Sequence, residues 1–306
     1  MTAPAPAVPE PDASGPPPRA SAAVVAFAAL VASAFAMGVS PVFVRLAEVG
    51  PFTSAFWRVA LALPFLWGWA RWQTSRPGAL PDPGWTRGSL LAGLFFTLDL
   101  FFWHLSILNT TIANATLLSS MAPVWVMLFS LVISERVTRA MVVGLMLCLV
   151  GGTALVGSSW QLAPERLLGD LYGVGTSVGF GLYFLAVRVA RRDASAAVVL
   201  ARSTVVTAVL LAAIAAAFEN SWAPASLAGV AALLAMATIS HVGGQGLLAY
   251  ALGHLSAAFS SLVIFLEALA GALFGWVIFH ETLGPWQIAG GCAILTGIWV
   301  ARPRQG

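Results

Sequence analysis

Apolar residues in this chain fall into long runs, separated by short stretches where Arg, Pro, Asp, Asn and Ser collect. A helix needs roughly 20 apolar residues to cross a bilayer core. On that measure the runs predict spans near 23–46, 52–72, 88–108, 113–133, 140–159, 170–189, 196–218, 227–250, 256–279 and 285–301, with the shortest connections at 109–112 and 251–255. The fold class this predicts is an all-α integral membrane protein with ten transmembrane helices, arranged as two inverted five-helix repeats.

The second half of the chain repeats the first. At a constant offset of 146, Asp99 falls on Gln245, His104 on Tyr250, Glu135 on Glu281, Gly144 on Gly290 and Gly151 on Gly297. The repeats also start alike: Gly38 to Arg45 resembles Gly181 to Arg188, and Arg58 and Arg202 follow at similar distances. Five spans per repeat is an odd number, so the second repeat must sit upside down relative to the first. The divisions expected are a disordered cytoplasmic tail over 1–22, a first repeat over 23–160 and a second over 168–301. The tail is rich in Pro, Ala and Ser, and the apolar run after it is too long for a cleaved signal peptide.

Composition narrows the class. Hydrophobic residues make up 59% of the 306 and charged ones 9%, too few charges to solvate a soluble surface. All 15 basic residues are Arg, scattered over loops, so the net charge of +3 gives no nucleic-acid patch. Orientation follows from their placement. With a cytoplasmic N-terminus, 11 arginines fall on that side and two, Arg45 and Arg166, on the other. The positive-inside rule then places both termini in the cytoplasm of a multi-pass inner-membrane protein. Arg58 and Arg202 remain inside spans, where snorkelling or pairing with a buried acid is the first expectation. Cys148 and Cys292 have no ligand-like spacing and read as core cysteines. No metal site, nucleotide-binding loop or cofactor motif is found, which argues against ATP hydrolysis and against an enzyme.

Several motifs resemble one family. Phe56-Trp57-Arg58 is an aromatic-Arg pair early in the second span. The fourth runs from Thr111-Ile-Ala-Asn-Ala-Thr through Pro123 to Glu135, and the fifth carries Gly144, Gly151 and Gly152. The second copy has Glu281, Gly290, Gly291 and Gly297, but Leu269 stands where the mid-helix Pro is expected. Over about 23–301 the chain resembles the EamA-type transporters of the drug/metabolite transporter superfamily. That resemblance implies membrane transport of amino acids, other metabolites or drugs.

Polar side chains at mid-membrane depth are the candidate site, because a polar group there needs a cavity or a partner. Asp99 lies about 16 Å into its helix, with Trp103 one turn on; its alternative is a structural acid bonded to a neighbouring Ser, Thr or Arg. Gln245 holds the matching depth in the second repeat, with His241 one turn before it, in a run whose three glycines weaken the helix; the alternative is interhelical glue. Glu267 stands alone among apolar residues, where desolvation disfavours its charge. Pro123 kinks its helix and frees the Ser119 carbonyl, near Asn114 and Ser120. The substrate-binding set is therefore Asp99, Trp103, Asn114, Ser119, His241, Gln245 and Glu267, with Glu267 and Asp99 as proton-coupling candidates.

Together these features predict a secondary transporter exporting small metabolites by alternating access. The solute sits among spans 1, 3, 4, 6, 8 and 9. Efflux of cationic drugs would suit the same acids. An intramembrane enzyme would need a nucleophile that does not stand out, and a membrane sensor would need a signalling domain for which the short tails leave no room. The partners expected are a small-molecule solute and the lipid bilayer; the reading allows a homo-oligomer. The inversion makes a direct prediction. Cysteines replacing Pro81 and Ala223 are expected to label from opposite sides of the membrane; labelling from one side would overturn the topology.

Overall fold

In a computed structural model, residues 19–110, 112–156, 164–279 and 284–303 are described, and all regular structure among them is helical. Most of the expected tail, together with Thr111 and Glu281, lies outside them. The helices are α1 (Arg19–Gly38), α2 (Ser40–Leu46), α3 (Pro51–Ala60), α4 (Leu63–Thr74), α5 (Arg87–Asn109), α6 (Ile112–Ser119), α7 (Ala122–Ser130), α8 (Arg139–Val156), α9 (Leu167–Ala190) and α10 (Ala196–Phe218). They continue with α11 (Leu227–Ala235), α12 (Gly246–Ala251), α13 (Ala257–Val263), α14 (Leu266–Phe279) and α15 (Pro285–Ala301). Between α11 and α12 the chain winds as a π-helix over Met236–Gln245.

Among the described residues, six stretches are long and apolar enough to cross a membrane: Ala22–Leu46, Arg87–Asn109, Pro164–Ala190, Ala196–Phe218, Leu227–Ala251 and Ala257–Phe274. Leu117–Ile133, Arg139–Leu155 and Pro285–Ala301 are apolar but shorter. The exterior is apolar as well, with Val142, Val143, Met146, Val150, Leu295 and Trp299 exposed. Large side chains such as Tyr183, Phe184, Leu30 and Leu200 fill the interior.

Several rods break at mid-length, and local chemistry accounts for most of the breaks. Pro41, Pro64 and Pro123 each stand in the first two positions of a new helix, α2, α4 and α7. There the missing N–H costs nothing. The Pro123 break falls at Ser120–Met121, where the Met121 N–H bonds the Leu118 carbonyl in a tightened turn. Leu269 replaces the expected proline in the second repeat, yet a break appears there too, at Ile264–Phe265. The Glu267 N–H closes that turn onto the Ile264 carbonyl at 2.8 Å. The π-helix occupies the glycine-rich run, where Gly244 lets Met37 approach; a Cβ there would lie 2.6 Å from Met37 Cγ.

Three carboxylates tie the halves together at helix starts. Glu135 Oε2 accepts the Ala257 N–H of α13 at 2.8 Å. Glu219 accepts the Phe52 and Thr53 N–H groups of α3 at 2.8 and 2.9 Å. Glu48 accepts the Ser226 N–H and hydroxyl before α11, both at 2.9 Å. Helix N-termini leave such donors unpaired and carry partial positive charge.

Small residues set the closest helix contacts. A Cβ on Gly151 would stand 2.6 Å from the Gly290 carbonyl oxygen, and one on Gly290 2.5 Å from that of Gly151. Gly144 and Gly297 face each other in the same way, so α8 and α15 pack backbone to backbone. Cys148 is buried in this seam, its thiol 3.7 Å from the Ile294 carbonyl. Cys292 corrects the expectation of two core cysteines: it is exposed, on the outer side of α15. Gly151→Val is expected to lower the unfolding midpoint in detergent by an amount equivalent to about 1–3 kcal/mol. Gly68→Ala, with open space around its Cβ, is expected to leave that midpoint unchanged or higher. Equal effects would show that the seam is not close-packed.

Candidate functional site

The broken helices surround a cavity of about 410 Å³. Asp99 and Trp103 of α5 reach it from one side. Gln245 at the end of the π-helix and Glu267 in the first turn of α14 reach it from the other. Ser119 and Pro123 line it at the α6–α7 break, and Arg58 of α3 and Arg45 of α2 complete the charged set. The lining thus draws on both repeats, and on the six spans anticipated together with one more, through Arg58.

Asp99 is 9% exposed, and Arg58 lies within electrostatic reach of Asp99, Glu267 and Tyr183. Neither acid is ion-paired, since the two ion pairs among the described residues are Arg188–Glu135 and Arg202–Asp82. Gln245 is held in place: its Oε1 accepts the Tyr183 hydroxyl at 2.9 Å, and its Nε2 stands 3.1 Å from Met37 Sδ. The Arg58 guanidinium has one weak side-chain contact, Nη1 to the Ser40 hydroxyl at 3.4 Å. Its Nε is buried and has no hydrogen-bond partner among the described residues.

Two of the anticipated residues stand outside the cavity. The Asn114 amide is buried and donates to Asp170 Oδ1 at 2.9 Å, an acid that also accepts from Thr110 at 2.7 Å. Its polar group holds the start of α9 instead of facing a solute. His241 is 1% exposed; its Nε2 bonds the Thr204 hydroxyl at 2.9 Å, and its ring packs 5.6 Å from Phe96. Phe96 lines the cavity, and His241 does not.

Arg58 and Arg202 part ways. Arg202 pairs with Asp82 at 2.5 Å, donates to the Gly84 carbonyl and lies over Trp85. Burial alone would raise the Asp82 carboxyl, but the Gly84 N–H and the Arg202 guanidinium outweigh it and hold it below the usual carboxylate range. Arg202 therefore pairs with an acid, but with one exposed in a loop and not with the buried acid expected. Arg58 faces the cavity instead, and its signal in the sequence was the Phe56-Trp57-Arg58 cluster. Thr176, Phe180 and Ser261 also line the space. Hydroxyls and aromatics are too common in helices for sequence to single these out.

The two ends of the cavity differ. The lining reaches Arg45, an exposed residue in the last turn of α2. At the opposite end its deepest residues include Phe184 and Ser261, and the chain is tied one turn beyond both. Arg188 Nε bonds Glu135 Oε1 at 2.6 Å, Arg188 Nη1 donates to the Leu252 carbonyl at 2.8 Å, and the second Glu135 oxygen holds Ala257. One carboxylate thus joins the end of the Pro123 rod to α9 and α13.

Comparison with known proteins fits this arrangement. Two segments, residues 24–157 and 167–302, match the EamA-like transporter family, and the chain belongs to that family. It is a multi-pass membrane protein with the family's two-repeat layout. Relatives include an uncharacterized transporter of Archaeoglobus fulgidus, 28% identical over 292 residues, which cover 90% of this chain and 95% of the relative. The pseudopaline exporter CntI of Pseudomonas aeruginosa is 29% identical over 227 residues, covering 71% and 75%. A solved crystal structure superposes with a TM-score of 0.72 at 23% identity, over 93% of this chain and 99% of that one, and shares the fold.

The tie at the closed end is testable. In a Cys292→Ser background, a cysteine at Ser261 is expected to react with an impermeant thiol reagent only from the Arg45 end. Adding Glu135→Gln is expected to open reaction from the Arg188 end. Unchanged sidedness would show that this contact does not seal the cavity.

Proposed function

We propose that the chain is a secondary transporter of the inner membrane that exports small metabolites, amino acids or related compounds, by alternating access. In this reading ten spans form two inverted five-helix repeats, over 23–160 and 168–301, with both termini cytoplasmic. The observation that carries it is the cavity, lined by Asp99 from one repeat and by Gln245 and Glu267 from the other. A binding site between repeats is what rocking of one half against the other requires. With the arginine-rich ends inside, the Arg45 end faces outward and the Glu135–Arg188 tie closes the cytoplasmic side. The two acids also suit efflux of cationic drugs, the rival within the same class.

Proton coupling through Glu267 fits its place in the first turn of a half-helix, in an apolar stretch at the cavity wall; Asp99 is the rival carrier. In proteoliposomes, Asp99→Asn is expected to cut solute flux by about tenfold or more, the scale of a lost charge-assisted contact, while the protein stays folded and inserted. Glu267→Gln is expected to abolish flux driven by a pH gradient and to retain exchange of solute for solute. If pH-driven flux survives Glu267→Gln unchanged, Glu267 is not the carrier. If it survives Asp99→Asn as well, facilitated export without protons replaces the coupled mechanism.

A further inference from the structure

The Arg58 guanidinium is poorly matched within the protein. Among the described residues its one side-chain hydrogen bond is the 3.4 Å contact to Ser40 and its buried Nε has no partner, while Phe96 lies 5.9 Å from its carbon. Leaving a donor of a charged group unmatched away from water is costly. The nearby acids do not close the gap, because neither forms an ion pair with it among the described residues. A second feature points the same way. Helix α7, nine residues long, begins at the cavity wall with Ala122 and Pro123, so the positive end of its dipole faces the same space.

We propose that Arg58 anchors a carboxylate of the transported solute, with Asp99 and Glu267 facing the solute's amine. The proposal rests on the transport reading above and names the substrate class of that site. A guanidinium is planar and offers paired N–H donors, which match a carboxylate in two parallel hydrogen bonds. A dianionic phosphate fits poorly, since Asp99 and Glu267 line the same cavity and offset its two arginines, Arg58 and Arg45. A simple cation would satisfy the two acids but would leave the Arg58 guanidinium without an anion. An aminocarboxylate satisfies all three side chains at once. This selects against cationic drugs and makes Arg58 a specificity-determining residue.

The test uses the cell's own metabolite pool as probe. Extracellular and intracellular metabolites are profiled in cells making the wild-type protein, Arg58→Gln, Arg58→Lys or no transporter. Each variant is checked for its amount in the membrane and for monodispersity in detergent. The solutes whose export depends on the wild-type protein are expected to carry both a carboxylate and an amine. Arg58→Gln is expected to reduce their export by about tenfold or more, and Arg58→Lys by less. A second measurement needs no variant. In wild-type proteoliposomes, the methyl ester of an exported solute, which keeps the amine and loses the carboxylate charge, is expected to fail as substrate and as competitor.

If exported solutes lack a carboxylate, or the ester is carried as well as the acid, the Arg58 assignment is wrong while transport stands. Undiminished export by a well-inserted Arg58→Gln overturns the assignment in the same way. If no solute depends on the wild-type protein, the exporter reading fails and takes this assignment with it.

Discussion

Glu48, Glu135 and Glu219 each spend a carboxylate on the start of a helix in the other repeat, and the packing of the two halves rests on these contacts. A helix start leaves backbone N–H groups without intrahelical partners and carries partial positive charge, which a carboxylate answers. Each acid therefore removes a penalty from one half by using a group from the other. The glutamates sit at both ends of the bundle, so neither half is completed without its counterpart. Glu135 goes furthest, because its second oxygen also binds Arg188. In the proposed alternating access, movement of one repeat against the other would break these bonds.

Between the tied ends the rods are interrupted, and the interruptions are what make the cavity. A continuous helix presents only side chains, with its backbone groups already paired. The breaks at Ser120–Met121 and Ile264–Phe265 and the π-helix before Gly246 bring Ser119, Glu267 and Gln245 to one cavity. A π-helical turn carries an extra residue relative to an α-turn and is a recurrent feature of functional positions. The Pro123 break has its counterpart in the second repeat without a proline. The interruption thus belongs to the repeated architecture, and proline is one way of making it.

Much of this was legible in the sequence, for a reason particular to membranes. Length and apolar content alone define a spanning helix, and the offset of 146 carries depth from one repeat to the other, so Asp99 located Gln245. Glu267 was conspicuous because acids are rare in apolar runs. Illegible features depended on a distant partner. Asn114 looked available until Asp170, 56 residues away, took its amide; His241 looked available until Thr204 took its ring. Arg58 erred in the opposite direction. An arginine near a helix end snorkels by default, and only the packing of Phe96 and Ser40 around it shows that it turns inward. Cys292 was placed in the core because apolar runs do not reveal which face of a helix meets lipid.

The glycine seam between α8 and α15 has a consequence for how the protein is made. Its two sides lie about half the chain apart, so α8 enters the membrane long before its partner has been synthesised. Until α15 arrives, Gly144 and Gly151 present bare backbone to lipid, a surface that any small-residue helix nearby can occupy. Closure of the seam is thus a late step of assembly. A truncation or a bulky residue in α15 would act before any transport cycle begins, through abundance instead of rate.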